Sequence, residues 1–149
     1  MAEIRHTATM RGSREVAFAY VNDYRNVPEY MFGVSDFRPI TEVTSGVGSQ
    51  FVTTLKVGPK TLESTVECTE WVENEVIKLT SVKGFGASTE WYFADGDEPG
   101  TVVADVVFDY TLPGGIAGRV LGGLMEPFVA QAVKHTDSVI SKHLATQND

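Results

Sequence analysis

The side chains that could carry out covalent or metal chemistry are few and widely spaced. The 149 residues include one cysteine and three histidines. Cys68 falls in a β-patterned run with no histidine close in the sequence, which favours a buried core thiol over a nucleophile. His6, His135 and His143 lack the close spacing of a metal site, since even the last two are eight residues apart on one predicted helix. The sequence therefore predicts no metal centre.

Two short motifs are similar to ligand-binding loops but lack the required spacing. The glycine-rich segment 114–118 lies between a strand and a helix, yet it lacks the spacing of a dinucleotide fingerprint and no strand follows the helix. Residues 95–97, Asp-Gly-Asp, are similar to part of a calcium loop but lack the later acidic ligands. Both segments are interpreted as turns, and no cofactor is predicted.

A few polar side chains fall among apolar residues, where they could meet a ligand. His135 belongs to the apolar stripe of the final helix, so it is a candidate proton donor or acceptor, or alternatively a hydrogen-bonded core or rim residue. Tyr30, Trp91 and Tyr110 could pack against a ligand and hydrogen-bond to it. Arg38 could orient an anionic group if its strand turns it inward, and is otherwise a solvated strand residue.

The charge distribution excludes several functional classes. Twelve basic and twenty acidic residues give a net charge of −8, which disfavours nucleic acid and anionic lipid as partners. Eleven acids lie between Glu63 and Asp109 against Lys78 and Lys83, and they alternate with apolar residues, as on the solvated face of a sheet. The N-terminus lacks a secretory signal, and segment 114–133 is too polar to span a membrane. A cytoplasmic monomer or homodimer is expected.

Period-two alternation predicts most of the fold. The predicted strands are Glu3–Met10, Val34–Val43, Ser49–Val57, Thr61–Val72, Val76–Val82, Ser88–Ala94 and Thr101–Leu112. The short connections between them favour an antiparallel meander with one apolar, aromatic face. Ser13 is placed to cap a first short helix, and a second one is predicted from Tyr24 to Met31.

The last third of the chain predicts one long helix. Apolar residues recur at spacings of three and four from Leu121 to about Leu144, and Pro127 is expected to kink or break the helix. The order of elements predicts an α+β fold in which a curved antiparallel sheet buries its apolar face against this helix.

Several segments together resemble the START-like, or SRPBCC, superfamily, and in particular its polyketide cyclase/dehydrase and coenzyme Q-binding branch. The resemblance is carried by residues 16–30, by the turn at 46–51, and by 100–103 leading to 109–115 before the long helix. It implies one START-like domain over residues 1–149. It also implies a helix-grip fold: seven antiparallel strands wrapped around the C-terminal helix, two short helices between strands 1 and 2, and a pocket for an apolar molecule.

This resemblance, together with the apolar sheet face, predicts binding or carrying of a polyketide-, lipid- or quinone-like molecule. A polyketide cyclase/dehydratase using His135 or Tyr110 for proton transfer is the alternative, and a structural protein with a collapsed groove is a third. The predicted ligand-binding residues are Tyr30, Arg38, Phe51, Val66, Trp91, Phe93, Phe108, Tyr110, Met125, Phe128 and His135.

Overall fold

A computed structural model describes residues 2–111 and 115–147 of the chain. Its strands are β1 (Ala2–Arg11), β2 (Val34–Pro39), β3 (Gln50–Val57), β4 (Lys60–Val72), β5 (Val76–Gly84), β6 (Ala87–Asp95) and β7 (Thr101–Tyr110). Its α-helices are α1 (Arg14–Asn22), α2 (Val27–Tyr30) and α3 (Gly115–Gln147), and a 3₁₀ turn covers Tyr24–Asn26.

The seven strands form one antiparallel sheet in the order β1-β7-β6-β5-β4-β3-β2. Strands β2 to β7 pair in sequence, while β1 pairs with β7 along its whole length. The expected helix-grip arrangement is confirmed. Strand β2 ends at Pro39, earlier than predicted, and the exposed Ile40 and Val43 belong to the following loop. Leu112, the predicted end of the last strand, lies outside the described residues.

The two faces of the sheet have opposite character, as the alternation predicts. On β7 the inward row contains Val102, Ala104 and Phe108, while Asp105 is on the other face, where it forms an ion pair with Arg5. This inward row continues across β6 through the buried Trp91 and Phe93 and makes up much of the core. The acidic run is therefore mainly the outer face of the sheet.

The short helices close one end of the sheet and are held by specific hydrogen bonds. Ser13 caps α1, because its hydroxyl accepts a hydrogen bond of 3.1 Å from the amide of Val16. Phe18 of α1 packs edge-on against Phe93, with 5.6 Å between the ring centroids. Tyr30 at the end of α2 is buried, and its hydroxyl donates to the carbonyl of Val21 at 2.7 Å.

Helix α3 continues through Pro127, so the predicted break does not occur. The C-terminal half of α3 packs into the main core through the fully buried Ile140 and Leu144. His143, nearby, stacks on Tyr20 with 4.1 Å between the ring centroids. The middle of α3 has a different environment, because Phe128 and Ala132 face a space that the sheet and helix leave unfilled.

Candidate ligand-binding cavity

An apolar cavity of about 160 Å³ lies between the sheet and the middle of α3. Leu79, Trp91 and Phe108 line it from the sheet, and Phe128 and Ala132 line it from the helix. An engineered cavity of about 150 Å³ with a comparable lining stays dry and binds benzene, whereas most drug-sized ligands occupy about 300 to 1,000 Å³. The cavity therefore has the size of one six-membered ring.

The loop after α2 forms one wall of the cavity by close contact with α3. Phe32 packs on Phe128 with 5.4 Å between the ring centroids. The next residue, Gly33, has φ +87°, and a Cβ added there would lie 2.7 Å from Cζ of Phe128 and 2.9 Å from the carbonyl oxygen of Lys56. The Gly33 carbonyl also accepts a 2.8 Å hydrogen bond from the Lys56 amide. Glycine is therefore required here both for its backbone conformation and for the close approach of the ring.

Most polar groups in the cavity lining are already hydrogen-bonded within the protein. Ser64 donates to the carbonyl of Phe85 at 2.9 Å, and Thr136 donates to the carbonyl of Tyr30 at 2.6 Å. His6 lies with its Nε2 atom 2.7 Å from Oδ2 of Asp137. Thr53 differs, because its hydroxyl is buried and has no partner among the described residues.

Five of the predicted ligand-binding residues line this cavity: Tyr30, Val66, Trp91, Phe108 and Phe128. The hydroxyl of Tyr30 is nevertheless engaged with Val21, and complete burial raises the pKa of Tyr30 well above its usual range. Tyr30 therefore presents its ring, and not a free hydroxyl, to a ligand. Its ring meets Trp91 edge-on with 5.8 Å between the centroids.

Three other predicted residues on the sheet lie outside this cavity. Arg38 points outward, with 59% of its side chain exposed and an ion pair to Asp36, because it occupies the position next to the inward-facing Phe37. Phe51 stacks on Phe37 beside a separate space of about 40 Å³. Phe93 is buried in the core against Trp91, with 5.9 Å between the ring centroids. Arg38 is thus the solvated strand residue of the two alternatives, and it does not orient a ligand in this cavity.

The two candidate proton-transfer residues also lie outside the cavity lining. His135 Nε2 is 2.7 Å from the carbonyl oxygen of Glu29, since a turn of about 100° per residue carries it away from the inward-facing Thr136. It is thus a rim residue that links α3 to α2. Tyr110 is not part of the cavity lining and packs next to Phe108 in the apolar cluster around Val57. The side chain of Met125, a further predicted contact, lies outside the described part of the structure.

Several polar residues of the lining are not among the predicted ligand-binding residues, although the sequence contains a signal for them. His6 lies two residues from both Ile4 and Ala8 on β1, and Thr53 lies two residues from both Phe51 and Leu55 on β3. Because residues two apart in a strand share a face, His6 and Thr53 lie on the apolar face of the sheet. Thr89, Ser64 and Thr136 belong to the same set. Small hydroxyl side chains carry little hydrophobic signal, and only the position of their neighbours identifies them.

The remaining reactive groups are unsuited to chemistry in this cavity. Cys68 is buried on β4 as predicted, and burial raises the pKa of its thiol. Over residues 2–111 and 115–147, no three His, Cys, Asp or Glu side chains are arranged to hold a metal ion. No helix in the same residues is long and apolar enough to cross a membrane.

Comparison with solved structures identifies the fold. A crystal structure from Thermus thermophilus superposes with a TM-score of 0.79 at 16% identity, covering 99% of this chain and 100% of that one. A START superfamily protein from Mycobacterium smegmatis gives 0.73 at 12% identity, covering 98% and 99%. The Zhui aromatase/cyclase from Streptomyces gives 0.73 at 11% identity, covering 95% and 93%.

Sequence comparison adds the family. Among curated proteins, no sequence is significantly similar to this chain. The model of the family described as polyketide cyclase/dehydrase and lipid transport, by contrast, matches residues 1–136. With the seven-stranded sheet, the long C-terminal helix and the cavity between them, this match shows that the chain belongs to the polyketide cyclase/dehydrase and lipid transport family.

Proposed function

We propose that this protein binds or carries a small hydrophobic molecule in the cavity between the sheet and α3. The observation that carries the proposal is the combination of an unfilled apolar space with polar groups most of which are satisfied internally. Such a space is costly to keep empty, because its walls lose the packing contacts that a filled core provides. A ligand that fills it restores those contacts.

Two further observations favour binding over catalysis. His135 and Tyr110 are both outside the cavity lining, so neither is positioned for proton transfer to a molecule within it. The cavity volume of about 160 Å³ also suits a single ring better than a folded polyketide chain. A polyketide- or lipid-sized molecule would require Phe32 and Phe128 to move apart.

A cyclase or dehydratase is the second candidate, and one observation favours it. His6 lines the cavity while Asp137 holds its Nε2 atom, the arrangement in which a carboxylate orients an imidazole for proton transfer. The family description and the fold shared with the Zhui aromatase/cyclase are compatible with this reaction class. If it is correct, His6→Asn abolishes turnover of a cyclisable polyketide while the binding of the same molecule is retained.

The binding proposal is tested by filling the cavity from the helix side. Ala132 lines the cavity, whereas Ala130 on the same helix is exposed, so Ala132→Leu and Ala130→Leu form a matched pair. Isothermal titration calorimetry with toluene should show binding to the wild type and to Ala130→Leu, and at least about tenfold weaker binding to Ala132→Leu. Equal binding by the two variants, or no binding by the wild type, would contradict the proposal.

A further inference from the structure

We propose that the ligand is a neutral single-ring molecule carrying a hydrogen-bond acceptor, and that Thr53 donates the hydrogen bond that holds it. This inference rests on the proposed function, because it names the class of molecule that the cavity takes. It makes Thr53 the residue that determines ligand specificity.

The position of Thr53 is the first argument. Thr53 lines the cavity on β3, where its backbone pairs with Phe37 on one side and Ser64 on the other. Its hydroxyl oxygen is shut off from water and has no hydrogen-bond partner among the described residues. Buried hydroxyls in native proteins nearly always have a partner, so an unpaired one beside an unfilled space indicates that the partner comes from a bound molecule.

The second argument is that the other polar groups of the cavity lining differ from Thr53 in their hydrogen bonding. Ser64 and Thr136 donate to backbone carbonyls, and His6 is bonded to Asp137. Thr89 lines the cavity from β6, and its oxygen is not among the atoms that are both buried and unpaired. Among the polar side-chain atoms of the described lining, the Thr53 hydroxyl is therefore the one that is both buried and without a partner.

The lining also determines the charge and size of the ligand. It contains no lysine, arginine, aspartate or glutamate among the described residues, so an ion would lose its hydration without gaining a counter-charge. A volume of about 160 Å³ limits the molecule to about one ring with a short substituent. A ketone or ether oxygen suits this site, because it needs only one partner and brings no unsatisfied donor into an apolar space.

The geometry of threonine makes the hydrogen bond accessible. A rotation of roughly 120° about χ1 moves the hydroxyl of threonine from one staggered position to another, and the hydroxyl and methyl groups have nearly the same size. Since Thr53 contacts the cavity, this rotation can direct the hydroxyl toward a bound carbonyl oxygen. The same similarity in shape makes valine the appropriate replacement.

The experiment compares two probes of nearly identical shape, acetophenone and α-methylstyrene, in which a carbonyl oxygen is replaced by a methylene group. Calorimetry measures both dissociation constants for the wild type, Thr53→Val and Thr54→Val. Thr53→Val should weaken acetophenone binding by about two- to tenfold, the change expected for one net hydrogen bond, and should leave α-methylstyrene unchanged or tighter. Thr54→Val, the matched control on the opposite face of β3, should leave the ratio of the two constants unchanged.

The outcomes separate the two proposals. If both probes bind the wild type but Thr53→Val leaves the ratio unchanged, or Thr54→Val lowers acetophenone binding as much, Thr53 is not the anchor and only this inference is overturned. If neither probe binds the wild type, the proposed function fails as well. Urea denaturation of both variants provides the check that each is folded during the titrations.

Discussion

His6 on β1 and Asp137 on α3 are joined by a contact of 2.7 Å between Nε2 and Oδ2, beside the cavity. This contact links the edge strand of the sheet to the long helix, 131 positions apart in the sequence. Both side chains are only partly exposed. The wall of the cavity is thus held by a polar contact as well as by apolar packing.

Loss of this contact should destabilise the protein by a measurable amount. We expect Asp137→Ala to lower the free energy of unfolding in urea by about 1 kcal/mol, the net value of one partly buried hydrogen bond. The control is Asp95→Ala, whose carboxylate is 76% exposed and 3.7 Å from Arg14, and which should cost less than about 0.5 kcal/mol. Equal losses in the two variants would show that the His6–Asp137 contact contributes no more than a surface pair.

Gly33 should not tolerate a larger residue. Gly33→Ala imposes a left-handed conformation on alanine, which costs about 1 to 2 kcal/mol, and also drives a methyl group into the Phe128 ring and the Lys56 carbonyl. Gly100→Ala isolates the first effect, because Gly100 has φ +78° and open space around it. Thermal unfolding should therefore show a distinctly larger loss for Gly33→Ala. A loss no larger than that of Gly100→Ala would mean that the loop does not pack against α3 as described.

Tyr30 should affect stability and not ligand affinity. Tyr30→Phe leaves the carbonyl of Val21 without its donor, so we expect a loss of about 1 to 2 kcal/mol in urea denaturation. Toluene affinity should be unchanged, because the ring is retained. Tyr110→Phe should cost close to nothing, since the Tyr110 hydroxyl has no hydrogen-bond partner among the described residues. Weaker toluene binding by Tyr30→Phe would instead mean that its hydroxyl acts in the cavity.

The pH dependence of stability should show the contribution of the Arg5–Asp105 ion pair on the outer face of the sheet. Hydrogen bonds from Arg5 hold the pKa of Asp105 below its ordinary value of 3.8. Asp105 has a lower pKa in the folded protein than in the unfolded protein. The ion pair therefore stabilises the fold fully at pH values above 3.8, and this stabilisation is lost as the pH falls through the lowered pKa of the folded state. Asp105→Asn should therefore lose less stability than the wild type on acidification below about pH 4. Arg5→Gln should have the same effect, and an unchanged pH dependence in both variants would contradict this role.

The fold could be predicted from the sequence because its signals are local. Alternation on β6 and β7 identifies the inward row that includes Trp91 and Phe108, and the capping hydroxyl of Ser13 identifies the start of α1. The spacing of apolar residues on α3 does not determine which of His135 and Thr136 faces inward, because both border the apolar stripe. Only their contacts with α2 show that it is Thr136. Such contacts are not encoded in spacing.

The cavity and its chemistry depend on relationships that no local pattern contains. The hydroxyls of Ser64 and Thr136 pair with carbonyls that are distant in the sequence, whereas the hydroxyl of Thr53 has no partner among the described residues. These differences depend on how the sheet curves around α3. The outward position of Arg38 follows from the register of β2, where a bulge between Val34 and Asp36 interrupts the alternation. Cavity volume is likewise a property of the packed structure.

The most direct test of the central proposal is crystallography of the protein soaked with bromobenzene, recorded at the bromine absorption edge. A single ring fits a cavity of about 160 Å³, so we predict an anomalous difference peak between Trp91, Phe108 and Phe128, and a weaker peak or none in Ala132→Leu. A bromine peak found only at exposed apolar residues such as Ile40 and Val43, or no peak in the wild type, would contradict the proposed ligand-binding function.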